Sequence, residues 1–116
     1  MDSITAIAAL AALAQTTRLE TFRHLVAHEP DGIAAGELAR LLDTPQNTMS
    51  AHLATLSRAG LVTSERQSRS IIYRADLATL RDLTLFLLKD CCGGATELCA
   101  PVIAELAPCC GEARAS

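Results

Sequence analysis

Up to about residue 90 the apolar positions recur at helical spacing, interrupted once by a short stretch of alternation. Ser3 to Ala14, SITAIAALAALA, opens on a capping serine and sets Ile and Leu in a bed of alanine. A helix apolar nearly all round must be buried, and in so short a chain a subunit interface is the favoured place, with a core position in one chain as the competing reading. Thr17 to His28 follows, with Thr17 and Glu20 spaced as a capping box and Leu19, Phe22, Leu25 and Val26 on one face. Pro30-Asp31-Gly32 reads as a turn. Ala35 to Leu42 is a short helix with Leu38, Leu41 and Leu42 inward, and Asp43-Thr44 turns into the next one. There Thr44 is placed to cap, Pro45 to take the first helical position and Gly60 to end the helix. Met49, Leu53 and Leu56 form its core stripe.

After Gly60 the period shortens. Val62–Arg66 and Ser70–Arg74 read as two strands around a Gln67-Ser68-Arg69 tip. Asp76 then caps a last long helix to about Asp90, with Leu77, Leu80, Leu83, Thr84, Leu87 and Leu88 on its apolar side. The predicted fold is mainly α with a small β-hairpin: a short helix, a tight turn, a second helix and a wing, which is winged helix-turn-helix architecture. The helix after the turn turns Asn47, Ser50, Ala51, Ala54 and Arg58 away from its core stripe. A solvated helix would carry Glu and Lys pairs there; short hydroxyls, amides and alanines suit close approach to another surface, such as the DNA major groove.

Composition sharpens this picture. At 116 residues, 50% hydrophobic and without Trp, the chain makes one small core of Leu, Ala and Val. The net charge of −3 speaks against DNA, but its distribution does not: Arg40 to Arg74 holds five Arg against Asp43 and Glu65, while the remainder is acidic. A basic middle on an acidic frame fits phosphate binding. No run of eighteen apolar residues and no basic region before the first apolar run is present, so neither a membrane span nor a signal peptide is expected. The cytoplasm follows, and with it five reduced cysteines free to act as ligands.

LAQTTRLETFRHLV, GELARLL, QNTMSAHLATLSRAGLV and the RQSRSIIYR hairpin resemble the ArsR/SmtB family of dimeric winged-helix repressors that sense metals and metalloids. The likeness runs from about Leu10 to Leu88. It implies a homodimer joined through the first and last helices and a two-fold symmetric stretch of double-stranded operator DNA as partner. It also implies that Gln46, Thr48 and Ser50 meet bases or phosphates and that Arg66 and Arg69 serve the wing; Asn47 and Arg58, on the outer face of the same helix, complete the DNA-binding candidates. His52 matches a common family histidine, but its place beside the core stripe favours a structural role over base reading.

The family's effector sites are not carried over. Founding arsenic sensors place cysteines in the helix before the recognition helix; here that helix reads ELARLL. The family's zinc site takes Asp and His from the last helix; here that helix has Asp76, Asp82 and Asp90 but no His. All five cysteines instead lie in KDCCGGATELCAPVIAELAPCCGE, so residues 1–90 form the DNA-binding and dimerisation domain and 91–116 a cysteine-rich effector segment. Cys91 and Cys92 end the long helix, Gly93-Gly94 stops it, and Cys99 lies just before Pro101 and a further short helix to about Leu106. A thiol at a helix start is readily a thiolate. The glycine turn lets Cys99 return to Cys91 and Cys92, and three sulfurs suit trivalent arsenic or antimony.

Cys109 and Cys110 are secondary ligands; a fourth sulfur from either would suit zinc, cadmium or lead. A two-thiol site of Cys91 and Cys92 would suit a methylated arsenical. A thiol-based redox sensor, in which vicinal thiols oxidise to release DNA, is the main rival, although disulfides between adjacent cysteines are strained. An enzyme is not expected, since no catalytic motif surrounds the cysteines. His24 and His28 lie four apart without a third ligand nearby and read as surface histidines.

Overall fold

The computed structural model describes residues 1–92, with side chains through residue 88. Its elements are α1 (Ser3–Leu13), α2 (Thr16–Ala27), β1 (Ile33–Ala34), α3 (Ala35–Leu41), α4 (Gln46–Arg58), β2 (Val62–Gln67), β3 (Ser70–Ala75) and α5 (Leu77–Cys92). The chain divides into two compact units, Met1–Leu83 and the segment from Thr84 onward.

In the first unit α1 has two apolar faces of different size. Ala6, Ala9 and Ala12 are buried at spacings of three, whereas Ile4 is 80% and Ile7 64% exposed. Alanine lets backbones approach closely, while the branched side chains are left without cover in the single chain. The cap of α1 is Asp2 and not Ser3: its Oδ1 accepts from Thr5 N at 2.7 Å. A carboxylate at the positive end of a helix is the stronger acceptor. The Thr5 hydrogen bonds hold the Asp2 carboxyl below its ordinary value, so this cap supports α1 at neutral pH and is lost as the pH falls through the carboxylate range.

In α2 the expected Thr17–Glu20 capping box does not form. The helix begins one residue earlier, and Gln15 Oε1 accepts from Arg18 N at 2.8 Å. Thr17 is therefore inside the first turn, where its carbonyl accepts from Thr21 Oγ1 at 2.7 Å. The buried face is Thr21, Phe22 and Leu25, and Leu19 is left exposed.

The α3–α4 turn closes on itself: Thr44 N donates to Ala39 O at 2.9 Å, and Asp43 takes a left-handed φ of 48°. The Thr44 hydroxyl donates to Leu42 O and does not cap; α4 starts at Gln46, with Pro45 at the cap position and no side-chain cap. Leu38 is buried, but Leu41, expected inward, is exposed. Met49, Leu53 and Leu56 are fully buried, as their spacing requires. Gly60, at φ +79°, ends this stretch where L side chains are strained.

The sheet has three antiparallel strands in the order β1-β3-β2. β1 pairs Ile33 with Tyr73 and Ala34 with Ile72; two residues carry no period, so the sequence pattern does not show this strand. Gly32 makes the approach possible, since a Cβ there would lie 2.7 Å from Tyr73 O. β2 and β3 pair from Val62↔Ala75 to Gln67↔Ser70, which leaves Ser68 and Arg69 as the loop and puts Gln67 in a strand. Asp76 Oδ1 accepts from Thr79 N at 3.2 Å and caps α5 as expected. In the second unit Leu85 and Leu87 are exposed. Cys91 and Cys92 lie in the last turn of α5, while Cys99, Cys109 and Cys110 fall outside the described residues.

Among the described residues Leu25, Leu38, Met49, Leu53, Leu56 and Leu61 are the largest fully buried apolar side chains. Leu53→Ala is expected to lower unfolding stability by about 2–5 kcal/mol, read by denaturant titration at fixed protein concentration.

Candidate nucleic-acid interface

At 3.6 residues per turn α4 divides into four strips. Met49, Leu53 and Leu56 face the core. Directly opposite stand Asn47, Ala51, Ala54 and Arg58, all exposed. Gln46 and Ser50 lie on one flank, also exposed, and the flank carrying Gln46 is the one beside α3: a Cβ on Gly36 would come within 3.1 Å of Gln46 Nε2. The α3–α4 turn here lines a shallow depression of about 530 Å³, with Arg40, Asp43, Pro45 and Gln46 on its wall. Thr48, His52 and Thr55 form the other flank; Thr48 is exposed, His52 and Thr55 are half-buried.

The exposed strips contain no acidic side chain and, apart from Arg58, nothing longer than Gln. Asn47 Oδ1 accepts from Thr48 N at 2.9 Å, leaving its amide donors outward. Amide and hydroxyl groups at this density match the donors and acceptors on base edges. Gln46, Asn47 and Ser50 thus share one accessible surface. Arg58 departs from it: its NH2 donates to Thr55 Oγ1 at 3.3 Å, and it lines a cleft of about 310 Å³ with Ala8, Ala11 and Ala12 of α1, Arg18 and Thr55.

The basic middle sorts by what each arginine already holds. Arg40 pairs with Glu37 through Nε at 3.2 Å and through NH2. Arg74 pairs with Glu29 at 2.8 and 3.2 Å, and these bonds raise its pKa above the ordinary guanidinium value. Arg66 and Arg69 are exposed and form no ion pair among the described residues. They sit near and in the β2–β3 loop, so the wing carries positive charge that no described carboxylate pairs.

One residue outside the sequence-derived set bears on α4. Arg18 Nε donates to Ala12 O at 2.6 Å, and its NH1 lies 3.5 Å from His52 Nδ1. The periodicity of α2 gave no signal of this, because only the tertiary fold brings positions 18 and 52 together. His28 Nδ1 contacts His24 O at 2.8 Å, and no group of three metal-binding side chains occurs among the described residues. None of the described helices is long and apolar enough to cross a membrane.

A helix-turn-helix domain model matches residues 13–65. Transcriptional activator HlyU of Vibrio cholerae serotype O1 is 33% identical over 72 residues, 62% of this chain; the match spans 64% of that protein's length. A solved ArsR-like transcriptional regulator from Rhodococcus sp. RHA1 is 29% identical, covers 84% of this chain and 89% of its own, and superposes with a TM-score of 0.70. A solved possible transcriptional regulator for arsenical resistance is 28% identical over 67% of this chain and 78% of its own, with a TM-score of 0.60. The fold is winged helix-turn-helix, and the proteins it resembles here are described as transcriptional regulators.

Proposed function

We propose that this chain, like the ArsR-family winged-helix regulators it is similar to, works as a homodimer on operator DNA. It acts in the cytoplasm as a repressor, not an enzyme, and leaves DNA when trivalent arsenic or antimony binds its C-terminal thiolates. The observation that carries the DNA reading is the exposed, uncharged strip of short side chains on α4, Gln46, Asn47 and Ser50, in a unit whose wing holds two arginines that no described carboxylate pairs. The groove admits the helix, and Arg66 and Arg69 meet phosphate. Dimerisation is supported by Ile4, Ile7 and Leu10 of α1, which are left exposed along one side of that helix. The effector reading rests on Cys91, Cys92 and Cys99 in the sequence, with Cys109 and Cys110 secondary, and on the arsenical-resistance regulator among the similar structures.

Selection of duplexes from a random pool tests the DNA half. The expected product is a two-fold symmetric site bound by two chains. Arg69→Ala should weaken binding to every duplex alike and reduce the slope of log affinity against log salt by about one. A pool that yields no enriched sequence, or a salt slope unchanged by Arg69→Ala, contradicts the assignment.

A further inference from the structure

We propose that Arg18 is a positioning residue, tying the C-terminal end of α1 to the DNA-reading helix α4 through His52 in a contact that exists only while His52 is neutral. The inference rests on the DNA-binding reading of α4. Arg18 stands where three elements meet. Its backbone N–H is held by the Gln15 cap of α2 at 2.8 Å. Its Nε takes the carbonyl of Ala12 at 2.6 Å, one of the last-turn carbonyls that α1 cannot satisfy itself. Its NH1 reaches 3.5 Å from His52 Nδ1 on α4.

A guanidinium only donates, so a hydrogen bond at this contact requires His52 Nδ1 as acceptor and the ring proton on Nε2. Protonation of Nδ1 removes the acceptor and puts a second positive charge against the first. α1, Ser3–Leu13, has no charged residue. From α2 the facing group is Arg18. α4 has one charged residue of its own, Arg58, which shares a cleft with Arg18. α3 and β2, which also pack on α4, carry Glu37, Arg40, Glu65 and Arg66, and Glu37 is paired with Arg40. Arg18 is half-buried, so its charge is poorly screened and cannot simply swing into water without leaving Ala12 O unpaired. His52 is one turn from Thr48 and on its flank, so a shift of this contact changes how α4 is presented.

The sign separates this role from direct DNA contact. An imidazolium touching phosphate would strengthen binding at low pH; an imidazolium facing Arg18 weakens it. The test uses full-length protein and a duplex selected from a random pool, with affinity measured at pH 7.5 and 5.5 at constant ionic strength. The parent should lose about fivefold at pH 5.5, the low end of common coupling between sites. His52→Gln keeps an acceptor for Arg18 without titrating, and its affinity should be close to the parent's at pH 7.5 and flat with pH. Arg18→Met should bind more weakly at pH 7.5 and also be flat, which keeps the test decisive if His52→Gln folds poorly. A parent whose affinity is unchanged or tighter at pH 5.5 overturns the inference, as does an Arg18→Met variant that keeps the parent's pH dependence. A pool that enriches no sequence overturns the DNA reading itself, and is thereby told apart from failure of this contact.

Discussion

Ser50→Trp should erase discrimination between the operator and unrelated DNA. Ser50 is exposed on α4, one turn beyond Gln46. Its neighbours on the accessible surface are Asn47, Ala51 and Ala54, none of which reaches far from the helix. An indole there holds the whole helix away from base edges, so several contacts are lost together. Selective binding exceeds non-selective binding by about 10³-fold or more in such proteins, and that margin is what the substitution removes. Phosphate contacts from Arg66 and Arg69 should persist, leaving a weak, salt-sensitive, sequence-blind complex. Because Ser50 is not part of the Met49–Leu53–Leu56 stripe, helix content and dimer mass should be unchanged. A Ser50→Trp protein that still prefers the operator would remove α4 from the groove.

Serine substitutions at Cys91, Cys92 or Cys99 should each abolish release from DNA by arsenite. Three thiolates saturate a pyramidal trivalent ion, and a serine hydroxyl is a poor ligand for a soft centre. Cys91 and Cys92 are the last described residues of α5, the helix that the family resemblance assigns to the dimer interface. In the proposed dimer, an ion that draws the following segment onto the helix end would act where subunit spacing is set. A tenfold loss of operator affinity needs about 1.4 kcal/mol, within the usual range of coupling between sites. By reciprocity, operator DNA weakens arsenite binding by the same factor. Cys109→Ser and Cys110→Ser should respond like the parent. A normal response from Cys99→Ser would leave a two-thiol site at Cys91 and Cys92, suited to a methylated arsenical.

How much of this was legible beforehand depends on the range of each interaction. The stripe Met49–Leu53–Leu56 follows from period alone, and all three side chains are fully buried. The hairpin is equally local and forms where expected, with Gln67 and Ala75 added to its strands, and the Asp76 cap stands as expected. Errors gather where two local options compete. Asp2 outdoes Ser3 as a cap, Gln15 precedes the expected Thr17, and Thr44 spends its hydroxyl inside the turn. β1 is too short for any alternation to register. In the candidate site Asn47, Ser50 and Arg58, placed on the outer face by period, are exposed, while Gln46 and Thr48, implied by the resemblance, are exposed on opposite flanks of α4. What the wheel misses is reach: Arg58 is long enough to turn toward Thr55 and the alanines of α1. The Arg18–His52 contact crosses 34 positions, and no window along the chain contains it. The structural role favoured for His52 agrees with its half-buried place beside Arg18.

The most direct measurement is release of the selected operator duplex, followed by fluorescence anisotropy while arsenite is added to the full-length protein under reducing conditions. The account predicts loss of the complex as one arsenic binds per chain, with zinc leaving it intact and, in a parallel run without reductant, peroxide leaving it intact as well. A complex that survives saturating arsenite but dissociates with peroxide or a divalent metal would contradict it.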